Sequence, residues 1–129
     1  MARAVRTIDR NLMLVVMPGQ ETEKAGEKLG LPLVREIYAD RAYEDNGNLV
    51  SRRLEGAVIH DADVASERVI RMIGDGAIIS RSGKKVPTRI DSVCVHGDTP
   101  GAVAMARRLR ERLEAGGIKL ATMAEVIGM

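Results

Sequence analysis

The sequence predicts an α/β protein of mostly parallel strands with one small hairpin, on three observations. Short apolar runs alternate with charged, amphipathic segments, which is the rhythm of βαβ units. Residues 12–17 form an uninterrupted apolar run stopped by Pro18-Gly19, the pattern of a strand buried on both faces. The tetrapeptide Arg81-Ser82-Gly83-Lys84 separates two apolar stretches and reads as a hairpin turn. With 129 residues, 45% of them hydrophobic, the chain holds enough for one modest core, so residues 1–129 are read as a single domain.

The elements follow in order. Residues 1–7 read as a stretch of helix, 12–17 as a strand, and 21–29 as a charged helix closed by Gly30. Residues 33–37, after Pro32, are the next strand. The segment 38–56 is long for a loop, and long ordered loops in compact domains are usually functional. A short strand is expected at 57–59, then a helix capped by Asp61 or Asp63 that runs through Val64, Val69, Ile70 and Ile73 to Gly74 and Gly76. Residues 77–80 and 85–90 flank the hairpin turn, with Pro87 on an edge. Residues 92–95 form a strand. Thr99 as cap and Pro100 in the first turn open a helix whose apolar stripe is Val103, Ala106, Leu109 and Leu113, ended by Gly116-Gly117. Thr122 and Glu125 have capping-box spacing for a last short helix.

Composition excludes several classes. The 20 Lys+Arg against 18 Asp+Glu give a net charge of +2, too small to imply a nucleic acid partner. Phe and Trp are absent and Tyr38 and Tyr43 are the only aromatics, so no base-stacking platform can be built. The arginines at 107, 108, 110 and 112 are interrupted by Glu111 and Glu114, a solvated helix face. Cys94 is the single cysteine, which rules out an intramolecular disulfide and suits a reducing cytoplasm, with the thiol as a small apolar residue. No run is long enough for a membrane span or a signal-peptide core.

Ionisable residues concentrate where two predicted strands end. Ala39-Asp40-Arg41-Ala42-Tyr43 follows residues 33–37, and Cys94-Val95-His96-Gly97-Asp98-Thr99 completes 92–95. Ligands in α/β proteins gather at such carboxyl ends. His96, with Asp98 two residues on, suits a general acid or base or a metal ligand, and equally a structural histidine beside the Gly97 turn. Arg41 offers a planar fork for a carboxylate or phosphate, which Asp40 can orient, although neighbours on a strand point oppositely and both reach one ligand only across a bend. The alternative is a salt-bridged loop anchor. Gly97, Thr99 and Gly101 lead into the long helix and present free amides as an anion seat. No glycine-rich loop is followed by Lys and Ser/Thr, so a Walker-type nucleotide site is absent. His60 reads as a surface loop residue.

Four motifs, taken together and in order, resemble the LamB/YcsF family, the A-type component of bacterial 5-oxoprolinase. They are Glu36-Ile37-Tyr38-Ala39-Asp40-Arg41-Ala42-Tyr43, Gly47-Asn48-Leu49-Val50-Ser51-Arg52, Gly56-Ala57-Val58-Ile59 and Cys94-Val95-His96-Gly97-Asp98-Thr99-Pro100-Gly101-Ala102. The resemblance implies a β/α barrel of the glycoside hydrolase/deacetylase-like type, of which this chain matches only the carboxyl-terminal half, a partial barrel. It implies ATP-dependent opening of the 5-oxoproline lactam to L-glutamate with partner subunits, and assigns His96, Asp98 and Asp40 to catalysis and Arg41, Arg52 and Glu36 to substrate binding. Coupling to ATP suggests phosphorylation of the amide oxygen. The nucleotide is expected on the partners or otherwise outside a Walker loop, and any metal is left unassigned. A half barrel leaves open sheet edges. Either a second chain carrying the amino-terminal half completes it, or copies associate, or the product is a gene remnant; a non-catalytic assembly module and a binding domain unrelated to lactams are the alternatives to an enzyme. Ser51 stands where the family typically has proline, which loosens the loop before Arg52.

Overall fold

Proline and glycine punctuation divides the chain as the sequence suggests. The computed structural model describes all residues 1–129. Helix α1 (Ala2–Ile8) leads to strand β1 (Leu14–Val16), helix α2 (Glu21–Lys28) and strand β2 (Leu33–Tyr38). The long loop follows, then helix α3 (Ala62–Asp75), the hairpin β3 (Ala77–Ile79) and β4 (Lys85–Pro87), strand β5 (Ser92–Cys94), helix α4 (Ala102–Ala115) and helix α5 (Met123–Ile127). The first sheet is parallel with order β1-β2-β5, and the hairpin is a separate antiparallel pair, so the α/β class with mostly parallel strands holds. No helix is long and apolar enough to cross a membrane.

Register explains which side chains meet. Ile37 stands opposite Val93 and packs with Val69 and Met72 of α3 and Leu109 and Leu113 of α4. Side chains alternate across a strand, so Glu36, Tyr38, Ser92 and Cys94 lie on the other face. Ile78 of the hairpin joins the same core, its side chain fully buried. A second cluster of Ala2, Leu14, Val16, Leu31 and Leu33 seals α1 and α2 on β1 and β2. Gly26 of α2 sits against this cluster where a Cβ would come within 2.6 Å of Leu33 Cδ2.

Four local expectations are corrected. β1 is shorter than expected and buried on one face only: Leu14 and Val16 are inside while Val15 is exposed, because no layer covers its other side, and Leu12 and Met13 lie exposed before the strand. Residues 57–59 form no strand; Val58 makes one antiparallel bridge to Arg41 and the segment runs on as loop. Thr99 does not cap α4, because Gly101 takes the left-handed φ of 86° and breaks the helix there, leaving Thr99 C=O to accept from Ala102 N–H in the preceding turn. Val103 is 76% exposed, and the buried stripe is Met105, Leu109 and Leu113. At α3 the open choice resolves to Asp61, whose carboxylate accepts from Asp63 and Val64 N–H at 2.9 Å. Thr122 and Glu125 form the expected capping box.

Candidate active site

The parallel register sets Tyr38 opposite Cys94, so the chain leaves β2 and β5 side by side. Beyond β2 the backbone is held residue by residue. Ala39 N–H donates to Cys94 C=O, Ile59 N–H to Asp40 C=O, and Val50 N–H to Ala42 C=O. The phenol oxygen of Tyr43 accepts from Tyr38 N–H at 2.8 Å. That phenol is almost fully buried, and burial pushes its pKa up to about 12.

This framework turns the Asp40 carboxylate toward His96. His96 Nδ1 lies 2.8 Å from Asp40 Oδ1 and 2.9 Å from Oδ2, and the His96 backbone N–H reaches Oδ2 at 3.4 Å. Asp40 is 3% exposed and accepts only from His96. A buried carboxylate on Nδ1 keeps a proton there and leaves the lone pair on Nε2, which makes no hydrogen bond within the chain. Tyr38 stacks on the imidazole with ring centroids 5.3 Å apart and planes 12° apart. The ring therefore has one face, one nitrogen and its backbone fixed, and a second nitrogen free.

The other candidates are dispersed around this pair. Glu36 accepts from Ser92 Oγ at 2.7 Å on the same sheet face as Tyr38. Cys94 shares that face, and burial beside Glu36 and Asp40 raises its thiol pKa. Arg52 and Asp98 approach each other at 4.0 Å, both exposed, so Asp98 lies toward Arg52 and makes no hydrogen bond to His96. Arg41 is not salt-bridged: it is 7% exposed, donates from Nη2 to Val50 C=O at 2.8 Å, and its Nε has no partner. The backbone at 39–41 points Asp40 to His96 and Arg41 into the loop, the opposition that strand alternation predicts. Gly97 and Thr99 lie in the turn before α4 and Gly101 is its cap. No three His, Cys, Asp or Glu side chains converge in ligating geometry.

Two residues at the site escape the sequence reading. Tyr38 precedes Asp40 by two and so shares its face, a signal that alternation makes readable. Arg68 of α3 donates to Ala39 C=O and Arg41 C=O at 3.3 and 3.4 Å. It stands three residues after Ala65 and four before Met72, a charge on the stripe that faces the core. An apolar groove of about 570 Å³ between β5, α4 and the tail is lined by Val93, Val95, Leu109 and Met123 rather than by any of the candidate residues. The converging polar groups, not that groove, mark the candidate site, because the groove's lining is mostly apolar and holds neither His96 nor Asp40.

A match to the LamB/YcsF family spans residues 1–128. The chain is 52% identical over 123 residues to the A-type component of 5-oxoprolinase from Rhodopseudomonas palustris (strain BisB18), covering 95% of this chain and 48% of that protein. It is 49% identical over 115 residues to the corresponding protein from Gluconobacter oxydans (strain 621H), covering 89% of this chain and 45% of that protein. The crystal structure of a lactam utilization protein from Thermus thermophilus superposes with a TM-score of 0.83 at 38% identity, over 92% of this chain and 47% of that chain. The chain thus spans about half the length of the relatives it matches.

Proposed function

The chain belongs to the LamB/YcsF family, and on that premise we propose that it is the carboxyl-terminal half of a 5-oxoprolinase A-type component, contributing to ATP-dependent opening of 5-oxoproline to L-glutamate. Its three-stranded parallel sheet is then a section of a β/α barrel, completed by an amino-terminal half and working with partner subunits. The observation that carries the reading is the His96–Asp40 pair, with Nε2 unpaired at the carboxyl end of the sheet. Opening a lactam requires a water to lose a proton and the departing nitrogen to gain one.

In this reading His96 Nε2 takes the proton from the attacking water and returns it to the ring nitrogen of the substrate. Asp40 holds the imidazole in the acting tautomer and stabilises it while charged. Tyr38 fixes the ring plane. Arg52 and Asp98, exposed and 4.0 Å apart, stand where a substrate carboxylate and amide meet the chain, with Glu36 deeper on the same sheet face. Arg41 acts one step back by tying the loop to Val50. ATP supplies the driving force when bound. The turn of Gly97, Thr99 and Gly101 carries the Asp98 carboxylate, which opposes a polyphosphate, so ATP is assigned to partner subunits.

The test is to combine the chain with a complementary amino-terminal half and the partner subunits, add 5-oxoproline and ATP, and follow glutamate. Turnover that requires this chain and His96 is expected. No glutamate in any combination would remove the proposal.

A further inference from the structure

Arg68 is a cation on the core-facing stripe of α3, partly buried and without a carboxylate partner. Burial lowers its pKa, so its charge is held there at a cost that an apolar residue on the same stripe would not incur. Its hydrogen bonds show what the charge does. One Nη donates to Ala39 C=O and the other to Arg41 C=O, the two carbonyls flanking Asp40. The Asp40 carbonyl is already taken by Ile59 N–H and that of Ala42 by Val50 N–H. Ala39 and Arg41 are both buried, and no other donor reaches their carbonyls, so without Arg68 two buried acceptors would be orphaned.

We infer that Arg68 is a positioning residue whose forked guanidinium clamps the backbone on both sides of Asp40, holding its carboxylate on His96 Nδ1. The planar fork matters, since one rigid group satisfies two carbonyls two residues apart, which point the same way, and fixes the backbone between them. Backbone fixed there decides where the short Asp40 side chain points, and that decides which ring nitrogen of His96 keeps its proton. The inference rests on the proposed function only for its catalytic consequence. The tautomer it predicts is a property of the chain alone.

The experiment is ring-nitrogen NMR on the full ¹⁵N-labelled chain near neutral-imidazole pH, comparing wild type with Arg68→Gln and Arg68→Lys. The chain has two histidines, and exposed His60 is the internal reference for an unconstrained ring. In wild type His96 is expected as the Nδ1–H form. In Arg68→Gln that signal should be lost toward a His60-like mixture, and Arg68→Lys, which keeps the charge but not the two-pronged reach, should move the same way by less. A folded variant that retains the wild-type His96 signal overturns the inference, as does a wild-type His96 that matches His60. Where neither variant folds, the wild-type Arg68 Nη resonances decide: slowed rotation supports the clamp and free rotation refutes it. In reconstituted enzyme kcat should fall about 10–100-fold with KM nearly unchanged, and a loss confined to KM would refute the role. Because the ring-nitrogen result needs no turnover, absence of lactam hydrolysis would sink the proposed function while leaving the clamp standing.

Discussion

His96 Nδ1 rests 2.8 Å from Asp40 Oδ1 although the two residues are 56 apart in sequence. The pairing is set by the parallel register of β2 and β5, which sends both chain ends out at the same level. Replacing Asp40 by Asn preserves shape but allows an amide N–H to face Nδ1, which selects the wrong tautomer. Glutamate release by the assembled subunits is expected to drop on the order of 10³–10⁴-fold in Asp40→Asn, with the chain still folded. Activity within about threefold of wild type would show that His96 does not act through Asp40.

Tyr43 makes alkaline stability measurable. Its phenol stays protonated in the fold, with the pKa pushed from 10 to about 12 by burial. A raised folded-state value means the stabilisation is fully present below the unfolded pKa, near 10, and is lost as pH climbs from there through about 12. A rise of that size amounts to on the order of 3 kcal/mol. Urea unfolding from pH 9 upward should show that loss in wild type, and Tyr43→Phe should flatten it while costing about 1–2 kcal/mol at neutral pH for the unsatisfied Tyr38 N–H. A variant with the wild-type alkaline slope would count against this assignment.

Arg41 is expected to matter more to the loop than to proton transfer. Arg41→Met removes the buried bond to Val50 C=O but also the unpartnered Nε, so the net cost should be about 1–2 kcal/mol. Trypsin reports the consequence, because Arg52 and Arg53 are exposed in the tethered loop and should be cut faster once it is released. Unchanged cleavage would mean the loop is held elsewhere.

Gly26→Ala tests packing against propensity. Alanine gains up to about 1 kcal/mol of helix propensity over glycine. Its Cβ would meet Leu33 Cδ2 at 2.6 Å and Leu14 Cδ2 at 3.3 Å, overpacking that costs about 1–3 kcal/mol. The expected result is a lower unfolding midpoint. A rise would show that Leu33 swings aside freely.

Legibility from sequence divides along local and non-local lines. The bounds of α2 and α3, the hairpin at Arg81-Ser82-Gly83-Lys84 and the capping box at Thr122 are readable because each is written in adjacent residues. The candidates His96 and Asp40 each stand out in the sequence, but sequence neighbours suggest His96 with Asp98 and Asp40 with Arg41, where the structure pairs His96 with Asp40. Their true pairing depends on strand register, which no local pattern encodes. The same limit applies to β1, whose apolar run gives no sign that one face lacks a covering layer. Arg68 hides inside an ordinary amphipathic pattern, although a cation on the Ala65–Met72 stripe is itself unusual.

Strands β1 and β5 flank the sheet with no further neighbour, and each is three residues long. Such stubs offer too few amides to template fibre growth by generic backbone zippering. If the amino-terminal half proposed above completes this sheet, its recruitment comes from fitted side chains rather than from generic edge pairing, which makes it selective.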